Sequence, residues 1–240
     1  MKNKEVYKVI GEAFKKSSLV ILGINILISL LEIVSAYRNY IEVGNYKMIT
    51  FELPYLSMII FLFIMGVNYC FRNYGGWLSI RADRRSFLKG ILIVGVVGSF
   101  FIMGISYILI WSIAQLQVYL AGQPVGARAF SFKIEHLTSI SSMAILCFAL
   151  GACVGAIFYR LRPLVAACLV GIPPITVMII VMSQVVFENK MSEVLLNVLI
   201  VLLQAFLNIE GQVIYTIILW IITYSLLLHA PMERYKYDLL

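Results

Sequence analysis

Long apolar runs, separated by short stretches that carry charge, glycine or proline, set the pattern of this chain. Six of them, at about 19–37, 55–71, 91–112, 138–158, 164–187 and 212–230, read as membrane-crossing helices, which need about 20 apolar residues each. Ahead of the first, Val6, Ile10, Ala13 and Phe14 recur at helical spacing over residues 4–17. Lys4, Lys8, Glu12, Lys15 and Lys16 fall largely on the other face. That pattern predicts a basic amphipathic helix lying in the membrane interface. Between the second and third runs, Gly75-Gly76 ends one helix and Ser79 can cap another, which predicts a short helix over about 79–89. The segment 192–207 is short for the roughly 30 Å hydrocarbon core, and its polar residues Glu193, Asn197 and Gln204 share a stripe with Asn208. It reads as a re-entrant or interface-lying outer helix.

Composition supports a membrane protein and excludes a soluble one. Of 240 residues, 62% are hydrophobic and 13% charged, half the charged share of about 25% usual in soluble domains. The expectation is therefore an all-α polytopic membrane protein, a single transmembrane domain over 1–240 with six spans. The net charge of +7 follows the same topology. Arg38, Lys47, Arg128, Lys133 and Lys190 fall in outer loops, and the other 14 of the 19 Lys and Arg residues fall on the inner side. Basic residues near span ends resist translocation, so this asymmetry places both termini on the cytoplasmic side and needs no nucleic-acid partner. The first run reads as an uncleaved anchor.

Chemistry is sparse. The chain has no phosphate-cradling P-loop, no H-E-x-x-H and no G-x-S-x-G. His136 and His229 are isolated, and Cys70, Cys147, Cys153 and Cys168 lie inside predicted spans without metal-ligand spacing. No catalytic set can be assembled, and no metal or cofactor is expected on this chain. What remains is polar matter at membrane depth. Glu32 is the acidic residue inside a span, and Asn25, Asn68 and Gln184 are the amides, each able to line a pathway or bond a neighbouring helix. Pro173-Pro174 removes two backbone donors and predicts a kink or break in the fifth span. Gly151 and Gly155 form a G-x-x-x-G that permits close helix approach.

Residues 72–90 concentrate the charge: Arg72, Arg81, Arg84, Arg85 and Lys89 sit between two nearly uncharged runs. The stretch Gly76-Trp-Leu-Ser-Ile-Arg-Ala-Asp-Arg-Arg-Ser-Phe-Leu-Lys-Gly90 resembles the region before span three in permease subunits of type-2 ABC exporters, the group with small bacterial drug, peptide and bacteriocin-immunity exporters. The order of a basic amphipathic helix, a charged loop helix and a short outer helix resembles that family along the whole chain. The resemblance implies that 4–17 is an elbow helix and that 79–89 is a coupling helix docking on a separate ATP-binding subunit through Arg81, Asp83, Arg84, Arg85 and Phe87. It implies a second permease chain, identical or sibling, with spans one, two and five lining a path between the two, and ATP and Mg held on the partner subunit. Asn25, Glu32, Asn68 and Gln184 are then pathway candidates, and Pro173 and Pro174 belong to an outer gate. A mostly apolar interior suits a hydrophobic or amphipathic cargo such as a toxin-like peptide or a drug. Two other classes compete: an ATP-independent carrier or channel, and a non-transporting scaffold or sensor whose 72–90 loop binds a regulator.

Overall fold

The computed structural model describes residues 3–43, 52–74, 84–120, 134–187 and 208–230, with Ile200 and Gln204. All of its elements are helical. They are α1 (Asn3–Val43), α2 (Glu52–Asn68) followed by a π-helical turn π1 (Tyr69–Asn73), α3 (Arg84–Ile93), a second π turn π2 (Val94–Gly98), α4 (Ser99–Leu120), α5 (Ile134–Arg160), α6 (Pro163–Phe187) and α7 (Ile209–Leu228). The rod α3–π2–α4 is helical without interruption from Arg84 to Leu120. Among the described residues, four helices are long and apolar enough to cross a membrane: Ile10–Leu31, Arg84–Ile113, Leu137–Arg160 and Ile209–Leu228. Two shorter apolar helices, Tyr55–Phe71 and Pro163–Val177, accompany them.

The core is built around α5, whose apolar window is 61% buried against 17–39% for the other three. Small residues explain why. Along one face of α5, Gly151 and Gly155 meet the backbone of α2, where a Cβ on Gly151 would strike the Phe63 carbonyl oxygen and one on Gly155 the Val67 carbonyl oxygen. From the other side, a Cβ on Gly66 would strike the carbonyl oxygen of Phe148 and the backbone nitrogen of Ala152. The two helices therefore touch main chain to main chain, which the G-x-x-x-G pattern permits and any larger residue forbids. Such approach gains dispersion contacts, the main source of helix association where no water is left to expel.

Phe148 gathers the rest of the bundle on α5. Its ring lies 6.3 Å from that of Tyr69 in π1 and 6.3 Å from that of Trp220 in α7. It also fills the space a side chain at Gly95 in π2 would need. Next to it, Phe14 of α1 lies over Gly98. Farther along, Leu22 and Asn25 of α1 face Ser106, Leu109 and Ile110 of α4 across a small cleft. These contacts advance together in both helices, so α1 and the α3–π2–α4 rod run side by side in the same direction.

Three expectations from the sequence change here. The stretch 4–17 is not a separate interfacial helix but the start of α1, whose 41 residues run unbroken for about 60 Å. Its apolar face is the predicted one in part: Ile10 and Phe14 are buried, whereas Ala13 is exposed. That face packs on the bundle, with the Tyr69 hydroxyl donating to the Ile10 carbonyl at 3.1 Å. Second, Arg84–Lys89 is not a detached short helix but the opening of the long apolar rod α3–π2–α4. Third, of the kink or break expected at Pro173-Pro174 the break does not occur: α6 stays helical through both, and the Thr176 hydroxyl bonds the Ile172 carbonyl at 2.6 Å beside them. Proline removes its own donor but leaves the turns on either side able to bond, so the helix persists. The expected outer helix at 192–207 lies outside the described residues, apart from Ile200 and Gln204.

Candidate functional site

The last turn of α7 raises a chemical problem. Its final carbonyls have no intrahelical donor, the turn carries no basic residue of its own, and no glycine cap follows it. Side chains from elsewhere in the chain supply what is missing. The Tyr74 hydroxyl donates to the Leu227 carbonyl at 2.6 Å. The Arg84 Nη1 donates to the Leu228 carbonyl at 2.9 Å. The Arg160 Nη1 donates to the carbonyls of Leu226 at 3.0 Å and Ser225 at 3.3 Å. Two guanidinium groups thus face the negative end of the helix dipole, where cations are favoured. The backbone N–H of Ala230 also reaches the Leu227 carbonyl, at 3.2 Å.

Four helix ends converge in this knot. Tyr74 follows π1, Arg84 opens α3, Arg160 ends α5, and the acceptors end α7. Aromatic rings fill the space between them. Tyr74 meets Tyr159 edge-on at 5.0 Å and Phe87 at 5.4 Å, and both Tyr74 and Phe87 are fully buried. Burial pushes the Tyr74 phenol up to about 12; the Arg84 charge pulls against this and Tyr159 adds to it. Around the knot, Arg85, Lys89 and Arg162 are exposed, and Lys8, Lys15 and Lys16 are exposed on the same end of α1. Glu12 is an exposed acidic side chain near them. This is the basic end of the bundle.

The candidate docking residues therefore separate. Arg81 and Asp83 lie outside the described residues. Arg85 is exposed, as a docking residue requires. Arg84 is half-buried and holds the end of α7. Phe87 corrects the expectation that it forms a docking patch: with no exposed surface it packs on Tyr74 and has nothing to offer a partner. Tyr74, Tyr159 and Arg160 were not singled out by sequence, although the signal existed. A buried helix end with neither a basic last turn nor a glycine cap demands donors from outside.

The pathway candidates do not form one line. Asn25 is buried between α1, α2 and α4, where its Oδ1 accepts from the Ser57 hydroxyl at 2.5 Å and its Nδ2 has no partner. Ser29 and Ser106, also buried, line the cleft with it. The space itself holds only about 10 Å³, near the minimum for one water, and its walls are apolar atoms. Asn68 is exposed at the end of α2, away from that cleft. Pro173 and Pro174 are exposed on α6, most of whose described side chains, up to Val177, are exposed. Glu32 and Gln184 lie within α1 and α6, and their side chains are outside the described residues. At the opposite end, the Ser142 hydroxyl donates to Gln212 Oε1, pinning the start of α7 to α5.

Among the described residues, no group of His, Cys, Asp and Glu could hold a metal ion, and all four cysteines are free. No protein-family model matches the sequence, and neither the curated proteins nor the solved structures offer a match.

Proposed function

We propose that this chain is the membrane-spanning subunit of an ATP-driven ABC exporter, working with a second permease chain and a separate ATP-binding subunit. The observation that carries the reading is the basic end of the bundle. There the exposed cations Arg85 and Lys89 sit at the opening of α3, and Arg84 of the same helix is bonded to the end of α7, to which Arg160 at the end of α5 is also bonded. A motor docking there would push on one joint shared by four helix ends. ATP and Mg belong to the motor, whose closure biases a two-state membrane dimer. The apolar bundle, with scattered amides and hydroxyls, suits a hydrophobic or amphipathic cargo such as a toxin-like peptide or a drug.

The test is purification of the chain from its native membrane in mild detergent, with its partners identified and ATPase activity measured. The double variant Arg85→Glu with Lys89→Glu should lose a P-loop partner while the chain remains inserted. Arg84 is unsuited to this test, because changing it also uncaps α7. Absence of an ATPase under conditions that keep the membrane complex together would overturn the reading in favour of an ATP-independent carrier or a scaffold.

A further inference from the structure

Both helices that flank the 75–83 connection carry a π turn near the basic end, π1 before it and π2 after it. A π turn holds one residue more than the α turn it replaces, and single π turns inside α-helices are frequent at functional sites. Removing one by a register slip would rotate the helix beyond it by about 100°, one residue's share of a 3.6-residue turn. Neither turn is free to slip as the bundle stands. The Tyr69 hydroxyl in π1 is bonded to Ile10, and Tyr74, which follows π1, is bonded to α7. In π2, a side chain at Gly95 would meet the Phe148 and Trp220 rings, and one at Gly98 would meet Phe14. Helix α7 therefore reaches π1 through its last turn and π2 through Trp220.

We propose that Tyr74, Arg84 and Arg160 form a releasable clamp on the last turn of α7, and that the clamp holds both π turns in register. With the clamp closed, α7 is fixed, with Tyr74 bonded to it at the end of π1 and Trp220 set against Gly95 of π2. With it open, the end of α7 and Trp220 move away, and each π turn loses one of the contacts that hold its register. The two guanidiniums make the clamp releasable: each is half-buried at the edge of a cationic face, and an anionic group exchanges for a neutral carbonyl because charge-assisted bonds are the stronger. The clamp is a property of the bundle itself and does not depend on which partner binds it.

Hydrogen–deuterium exchange of the full chain in lipid nanodiscs tests this. The double variant Arg84→Gln with Arg160→Gln should exchange about tenfold faster in the last turn of α7, the scale expected for losing cap bonds, and the acceleration should extend to 69–74 and 94–98. The centre of α5 around Ala152 should stay as slow as in the parent chain. A charge-matched control, Arg85→Gln with Lys89→Gln, should leave all three regions unchanged. Acceleration confined to the last turn of α7 would overturn the proposal, since a simple helix cap has that effect alone. Equal acceleration in the control would overturn it as well, assigning the effect to charge. If the double variant loses the bundle, Tyr74→Phe removes one donor and no charge and carries the same decision: faster exchange in both π turns supports the clamp, and none there overturns it.

Discussion

Arg84, the first residue of α3, and Arg160, the last of α5, donate to carbonyls of the same terminal turn of α7, at 2.9 Å and 3.0 Å. Two positively charged residues that topology alone would place in separate loops are thus spent on one helix end. The positive-inside pattern expected from the sequence and the closure of the fold thus draw on the same side chains. Charge at this end consequently has two roles, and Arg84 and Arg85, adjacent in sequence, fall on either side of the division.

Stability measurements should expose that division. Arg84→Leu removes a charge-assisted bond to a helix terminus at a half-buried site and should destabilise the chain by about 1 kcal/mol. Arg85→Leu, at an exposed position, should stay within about 0.5 kcal/mol of the parent. Thermal unfolding of the two variants in one detergent compares them directly, and equal losses would refute the separate roles.

The α2–α5 contact gives a larger effect. A methyl group at Gly151 would strike the Phe63 backbone, and one at Gly66 the backbone of Phe148, Gly151 and Ala152. Gly151→Ala and Gly66→Ala should each cost about 3 kcal/mol, the upper range for overpacking, because main chain cannot rotate aside. Gly104, with open space where its Cβ would stand, is the control, and Gly104→Ala should change stability by less than about 1 kcal/mol. Unfolding in a mixed-detergent titration provides the comparison.

These same glycines show what was legible in the chain. Apolar run length located the helices, because the length needed to cross a bilayer is a strong local constraint. The G-x-x-x-G identified a face of α5 as one that can be approached, but not that Gly66 of α2 approaches it. Spacing within one helix carries no information about its partner. The stretch 4–17 departs from its expectation for the same reason: whether Ile10 and Phe14 meet lipid or protein depends on Tyr69 and Gly98, far along the chain. Phe87 looked like part of a docking patch because it stands among charges, and only packing reveals Tyr74 against it. The two π turns had no signature that hydrophobic periodicity could register.

Alkaline pH should loosen the clamp through Tyr74. Its phenol is raised from 10.0 to about 12, so the neutral, hydrogen-bonded form is favoured in the folded chain. The stabilisation is fully present below about pH 10 and is lost as pH rises through about 12. Tyr74→Phe removes the bond and the titration together. It should be less stable than the parent at pH 8 by about 1 kcal/mol, with the gap narrowing between pH 10 and 12. Thermal unfolding of both chains across that interval checks the sign: a gap that widens with pH would contradict it.

The Asn25–Ser57 pair should respond asymmetrically. Ser57 donates to Asn25 Oδ1, while Asn25 Nδ2 is buried without a partner. Ser57→Ala leaves the whole amide unsatisfied at that contact and should cost about 1 kcal/mol, the scale of interhelical polar bonds within a membrane. Asn25→Leu removes the unpaired donor along with the bond and adds apolar volume beside a cleft with apolar walls, so it should be neutral or stabilising. Combining the two should recover most of the Ser57→Ala loss, because the orphaned carbonyl has gone. On the exporter reading proposed above, transport separates the remaining meanings of the site. If Asn25 only joins α1 to α2, the leucine variant keeps full export activity along with its stability. If the cleft between α1 and α4 lies on the cargo route, the same variant stays folded and loses export, and the polar contact must then be credited to function at a site where packing alone would prefer leucine.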